Sequence, residues 1–456
     1  MSKCMHTIRN WPVLIAAGAV GLVSSTSLGH ATTPTKLKEN DMTQSTIAPQ
    51  SSGQSADGAA LRPFRVNIAQ EQLDDLRRRI AATRFPEQET VADHSQGVPL
   101  ATVQALAKYW ATDYDWRKCE AKLNAYPQFI TAIDGLDIHF IHVRSKEKDA
   151  LPIIITHGWP GSIVEQMKLI DPLMNPTAHG GSAEDAFDVV IPDMPGYGFS
   201  GKPTVKGWGP DRIARAWVVL MKRLGYTKFV AQGGDWGSVI VDLMAVQAPP
   251  ELLGIHTNMA GVIPVDLDQA AFAGRPAPAN LSPEEKLAYD RLREVYAKGI
   301  GYGFQMGLRP QSLYGIADSP VGLAGYFLDH DARSLALIAR VFEGEKAGLT
   351  RDDVLDNITY TWLTGTAVSG ARLYWEYFGK SYFAVKGVNI PVAVSVFPDE
   401  LYPAPRSWAE RAYPKLISFN THDRGGHFAG WEQPALLSAD VRTAFHSLRS
   451  TAQPLR

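Results

Sequence analysis

The sequence predicts an α/β fold: a mostly parallel sheet covered by helices, a helical insertion late in the chain, and a helical meander ahead of the first strand. Three observations carry that expectation. Short apolar runs at residues 152–156, 187–191 and 228–232 have the length of buried parallel strands, and helical stretches such as 211–224 lie between them. The alternation stops near Val262 and resumes at 391–397 and 416–420; the residues between are rich in helix formers, aromatics and glycine. The run 228–232 ends in Gly233-Gly234-Asp235-Trp236-Gly237-Ser238, followed by a helix-like stretch at 239–246, so that strand, sharp turn and helix follow one another directly.

From the N-terminus, the elements read as follows. Lys3 and Arg9 precede a charge-free apolar run at 11–23, and Gly29-His30-Ala31 supplies the small residues of a signal-peptidase site. Residues 1–31 are therefore expected to be a signal peptide cleaved after Ala31, with export to the periplasm or beyond; an uncleaved N-terminal anchor is the alternative. The apolar run is shorter than the roughly 20 residues of a membrane helix, so no stable span is expected after processing. Residues 32–61, rich in Ser, Thr, Gln, Pro and Gly, read as a flexible linker. In the meander, residues 62–128, Leu73, Leu76 and Ile80 share one helical face before the stop at Phe85-Pro86; a second helix is expected over 100–109, and no strand signal is present. Strands begin at Phe129: runs 129–133 and 136–143 flank Asp134-Gly135, a hairpin signal. The sheet domain then comprises residues 129–261 and 386–456, with the insertion, 262–385, over the carboxyl ends of the strands where such sheets bind ligands.

Composition sets the outer limits. The chain has 456 residues, 45% hydrophobic and 20% charged, more than one compact core holds. A net charge of −2 without a long run of Lys or Arg argues against nucleic acid as a partner. Two cysteines, Cys4 and Cys119, exclude a disulfide framework or a cysteine-rich metal site. No internal repeat is found, and the sequence is compatible with a monomer or a homodimer.

The turn at 233–238 matches the Gly-x-nucleophile-x-Gly elbow of the α/β-hydrolase fold, with Asp235 in the nucleophile's position. A carboxylate is ionised near neutral pH without a base. Attack on an sp³ carbon gives an ester that water can cleave, whereas a serine would give an inert ether. This points away from esterases and toward opening epoxides or displacing halides. His157-Gly158-Trp159-Pro160-Gly161 follows the first strand of the trio, where this fold sets an oxyanion-hole amide. The N–H groups of Trp159 and Trp236 are the candidate donors; Pro160 has none. Asp193-Met194-Pro195-Gly196-Tyr197-Gly198-Phe199-Ser200 reads as a turn-rich loop whose glycines are structural. The base belongs near the C-terminus, and His427, in Arg424-Gly425-Gly426-His427-Phe428, follows the last expected strand. His422, His446, His330, His139 and His142 are less well placed in the chain. Asp399 and Glu400 follow the preceding strand, and either carboxylate would orient the imidazole. An epoxide also needs a donor for its oxygen, a task for tyrosine; among 16 tyrosines, chemistry alone selects no pair.

Taken together, these motifs resemble the microsomal-type epoxide hydrolase family. The similarity runs from about Arg62 to Phe445. It includes the segment 157–162, the elbow, Gly301-Tyr302-Gly303-Phe304-Gln305, 318–324, Ala371-Arg372-Leu373-Tyr374-Trp375-Glu376 and 424–428. The resemblance implies that Tyr302 and Tyr374 polarise and protonate the epoxide oxygen, and that Glu400 rather than Asp399 is the acid. It implies a covalent ester on Asp235, formed from a small hydrophobic epoxide in a pocket lined by Trp159, Trp236 and cap aromatics. His427 then activates water to release a diol, without metal or organic cofactor. Microsomal members carry a membrane-anchoring N-terminal segment where this chain has a signal-like one. A haloalkane dehalogenase is the nearest alternative chemistry, and a non-catalytic small-molecule-binding homologue the more distant one.

Overall fold

The structure, a computed structural model, describes residues 59–346 and 348–449; the signal-like segment, almost all of the linker and Cys4 lie outside them. Nine strands form one sheet: β1 (Arg62–Phe64), β2 (Gln128–Ile133), β3 (Leu136–Val143), β4 (Leu151–Thr156), β5 (Phe187–Pro192), β6 (Phe229–Gly233), β7 (Leu252–Thr257), β8 (Val392–Val396) and β9 (Leu416–Thr421). Their spatial order is β1-β2-β3-β5-β4-β6-β7-β8-β9, antiparallel from β1 to β5 and parallel from β5 to β9. Between β2 and β3, Asp134 (φ 52°) and Gly135 (φ 80°) both take the left-handed conformation that a two-residue hairpin turn requires.

Two strands escaped the sequence reading. Arg62–Phe64 pairs antiparallel with β2, so the meander does contain a strand; three residues beginning Arg-Pro carry no alternation to detect. β7 reads Leu-Leu-Gly-Ile-His-Thr, and Gly254 with His256 breaks its apolar run. Both strands are held by neighbours rather than by their own propensity. The expected amphipathic helix is Gln70–Ala81, with Leu73, Leu76 and Ile80 buried. The meander packs largely against the insertion: buried Tyr114 donates to Asp356 at 2.8 Å, and Lys122 pairs with the same carboxylate at 3.0 Å. Cys119, buried beneath them, is a free thiol.

Sheet register decides where the site forms. Thr156 pairs with Gly233, so the chains leaving β4 and β6 start side by side; Val396 pairs with Thr421, so the loops after β8 and β9 do too. The order reverses at β4, and crevices for ligands open at such reversals. The insertion is helical from Val265–Phe272 to Ala367–Tyr377. Its two ends meet at a backbone bridge between Ile263 and Ala384. Beside that neck, buried Lys386 donates to the carbonyls of Tyr382 and Ala384 and lies 3.5 Å from the Asp242 carboxylate. At the other end of the insertion's contact with the sheet, Asn357 donates to the Pro160 carbonyl at 2.8 Å.

At Gly237 the elbow helix is packed too closely against β4 for any side chain. A Cβ on Gly237 would stand 2.0 Å from the Thr156 carbonyl oxygen, whereas one on Gly325 meets nothing within 4 Å. Gly237→Ala should therefore lower the free energy of unfolding by about 3 kcal/mol or more through overpacking. Gly325→Ala, inside helix Pro320–Leu328, should raise it by up to about 1 kcal/mol. Urea unfolding of the two variants checks the contrast.

Candidate active site

Asp235 joins β6 to helix Trp236–Gln247 with φ 50° and ψ −125°. A non-glycine residue held there stores roughly 1–3 kcal/mol, sustained by its surroundings. The turn projects the carboxylate above the carboxyl edge of the sheet and onto the N-terminus of the helix, whose free amides favour a negative charge. Oδ1 accepts the Trp159 N–H at 2.7 Å. This contact needs Gly158: a Cβ there would lie 2.1 Å from Oδ1. Trp236 is the first helical residue, so its N–H has no acceptor within the helix.

The opposite wall comes from β8 and β9. Asp399 bridges to Gly426, its N–H donating to Gly425 at 3.1 Å, and this ties the two loops together. Glu400 then turns inward. Its Oε1 lies 2.6 Å from His427 Nδ1 and also accepts the Leu401 N–H at 2.7 Å. Asp399 faces outward, 60% exposed and 3.8 Å from Arg333. With Nδ1 turned to Glu400, His427 presents Nε2 to Asp235 Oδ2 at 3.4 Å, a contact between charges that falls short of a good hydrogen bond. Burial alone would lower the imidazole pKa, but the carboxylates of Glu400 and Asp235 prevail and hold it well above the usual value of 6.5. Burial likewise opposes ionisation of Asp235, yet His427, His330 and the Trp159 amide keep its pKa below the ordinary carboxylate value. Of the other histidines weighed from sequence, His422 pairs with Asp440, His139 with Asp193, His142 with Tyr226, and exposed His446 with Asp185.

The insertion supplies the roof. Tyr302, on helix Gly301–Leu308, stacks on Trp159 with ring centroids 4.8 Å apart; Tyr374, on Ala367–Tyr377, stands edge-on to Trp236 at 4.8 Å. Their rings are 6.0 Å apart and nearly perpendicular. Neither hydroxyl has a hydrogen-bond partner among the described residues. Burial, with help from the Asp235 charge, raises both phenols well above 10, so they stand as protonated donors. Both line a pocket with Asp235, Trp236, Met259 and Leu401. Trp159 backs this pocket through its stacking on Tyr302.

A second, smaller cavity lies against Asp235, His427, Asn258, Glu165 and Gln166. The two cavities share Asp235 and no other residue. The carboxylate thus divides a space roofed by phenols from one walled by the imidazole. Such a site can attack an electrophilic carbon on one side, protonate its oxygen, and admit water on the other.

The residues 61–166 match the family described as "Epoxide hydrolase N terminus", and 152–313 match "alpha/beta hydrolase fold". A Stigmatella aurantiaca protein carrying the same family name is 49% identical over 398 residues, 86% of each chain. Epoxide hydrolase 1 of Sus scrofa is 36% identical over 415 residues, 86% of this chain and 90% of that one. The chain belongs to the epoxide hydrolase family. The crystal structure of juvenile hormone epoxide hydrolase from Bombyx mori superposes with a TM-score of 0.75 at 29% identity, covering 86% of this chain and 96% of that one. The epoxide hydrolase of Aspergillus niger gives 0.70 at 30%, covering 85% and 96%.

In this epoxide hydrolase, one residue set aside on sequence grounds stands inside the site. His330, in the insertion, has its ring 4.4 Å from that of His427 and 5.2 Å from that of Tyr302, and Asp331 engages its Nδ1 at 2.9 Å. Asp235, His330 and His427 each offer a ligand atom, all within 4.8 Å of one another, and are the group among the described residues that could hold a metal ion. The one signal available was the Asp329-His330-Asp331 triplet, which pairs a histidine with neighbouring carboxylates. No membrane-length apolar helix occurs among the described residues.

Because His427 is raised above its unfolded value, its protonation stabilises the fold fully below pH 6.5, and that contribution is lost as pH rises through the folded value. Above the ordinary carboxylate range, native protein should exceed His427→Gln in stability most strongly below pH 6.5, and the gap should shrink on going alkaline. Chemical unfolding of both proteins from pH 5.5 to 9 measures it. A gap that widens with pH overturns the assigned ion contact.

Proposed function

We propose that this protein hydrolyses an apolar epoxide to a vicinal diol through an ester on Asp235. One observation carries the reading: a single carboxylate faces two phenols in one cavity and an imidazole in another. Oδ2, the oxygen not held by the Trp159 amide, attacks the less hindered ring carbon from behind. The carbon–oxygen bond of the ring breaks, and its oxygen takes a proton from Tyr302 or Tyr374. The ester keeps Oδ1 as its carbonyl, with the Trp159 and Trp236 amides as the oxyanion hole.

Forming the ester erases the charge on Asp235. That removes one of the interactions holding the His427 pKa up, so the imidazolium yields its proton to the phenolate left by ring opening and becomes free to act as a base. His427, steadied by Glu400, then takes a proton from water as the water oxygen attacks the ester carbonyl. Collapse releases the diol with Oδ2. One of the water's protons completes the second hydroxyl and the other stays on His427, restoring the imidazolium. The sequence requires neither metal nor organic cofactor. Trp236, Met259, Leu401 and the paired tyrosines make an apolar wall suited to a hydrophobic substrate. The signal-like residues 1–31 support action outside the cytoplasm.

Single turnover in ¹⁸O-water tests the route: label should enter Asp235, and the first diol should be unlabelled; labelled first diol means direct attack by water. His427→Gln should accumulate a protein adduct equal in mass to the added epoxide, seen by intact-mass spectrometry, and Asp235→Asn should form none. Tyr302→Phe combined with Tyr374→Phe should lower kcat/KM for an aryl epoxide by about 10²–10⁴-fold, the usual worth of general acid catalysis.

A further inference from the structure

The imidazole-side cavity can admit water, and no group has yet been assigned to hold it. Its polar groups form a consistent set. Ser162 caps the short helix Ile163–Gln166, which delivers two adjacent side chains into the cavity. Glu165 is buried, and its carboxyl fits only because residue 161 is glycine: a Cβ there would stand 2.3 Å from Oε2. Gln166 Nε2 donates to Glu165 Oε1 at 2.9 Å. Three buried polar atoms on cavity-lining residues then have no hydrogen-bond partner among the described residues: Glu165 Oε2, Gln166 Oε1 and His427 Nε2.

Burial pushes the Glu165 carboxyl up to about 8, so it is mostly protonated at neutral pH. Because Oε1 already accepts from Gln166, the proton belongs on Oε2. Once the ester has formed and His427 is neutral, with Nδ1–H held by Glu400, the three atoms divide into one donor and two acceptors, the complement of a water molecule with one lone pair left over. Buried polar sites of this kind hold water when two to four partners converge.

We propose that Glu165 and Gln166 seat the attacking water in this second cavity, with Glu165 Oε2–H donating to the water oxygen and Gln166 Oε1 accepting one of its hydrogens. The other hydrogen points to His427 Nε2, and the remaining lone pair faces the ester carbonyl of Asp235. Glu165 is a positioning residue: it gains and loses no proton in the cycle. A neutral acid suits this place, since a second anion beside Asp235 would oppose ionisation of the nucleophile. The inference rests on the two-step reading, and it assigns substrate and water to opposite sides of one carboxylate.

The test separates the two half-reactions by rapid quench and intact-mass spectrometry of the full-length enzyme with styrene oxide. Glu165→Ala should form the ester within about 3-fold of the native rate and break it down 10- to 100-fold more slowly, so that adduct accumulates in steady state. Glu165→Gln keeps a donor of similar shape and should recover hydrolysis to within about 5-fold. Gln166→Met, which keeps volume and loses the acceptor, should also slow only the breakdown, and it serves if Glu165→Ala fails to fold. Equal slowing of both steps, or native breakdown in Glu165→Ala and Gln166→Met, overturns the assignment. Absence of any adduct in His427→Gln overturns the two-step reading instead.

Discussion

One negative charge, held on a strained turn between two cavities, is the constraint to which the rest of the molecule answers. Asp235 is ionised in an apolar setting because an amide, two histidines and a helix N-terminus surround it. The same charge sets its neighbours. It helps keep the phenols of Tyr302 and Tyr374 protonated and the imidazole of His427 charged. On the proposed route, forming the ester removes that charge and with it one of the interactions acting on all three neighbours.

Holding the charge in place explains features far from it. The sheet register brings β4 and β6 together so that the Trp159 amide reaches Oδ1. The bridge between Asp399 and Gly426 fixes two loops so that Glu400 reaches His427. The meander braces the insertion from outside through Tyr114, Lys122 and Asp356, and Asn357 ties the insertion to the Pro160 loop. The roof phenols thereby acquire a fixed height above the elbow.

Much of this was legible in the chain because the elbow is sterically exacting. A glycine-flanked nucleophile between a strand and a helix leaves few alternative readings, and His427 follows from strand order. What stayed hidden depends on three-dimensional neighbours. β7 carries a glycine and a histidine that only a surrounding sheet makes tolerable in a strand. Residue types left Asp399 and Glu400 equivalent, and the choice came from resemblance; in the fold, the bridge at Asp399 turns one side chain out and the next one in. His330 was set aside as less well placed in the chain, and Glu165 carried no sequence signal; packing sets both beside His427. Burial changes what a carboxyl group can do, and burial is a property of the fold rather than of local sequence.

The chain enters and leaves the helical insertion at one backbone bridge, Ile263 to Ala384, clamped beside Lys386 and Asp242. The strands beneath therefore see the insertion enter and leave at one point, whatever its length. Evolution, or an engineer, is free to reshape the ceiling over the substrate while the hydrolytic floor stays in register.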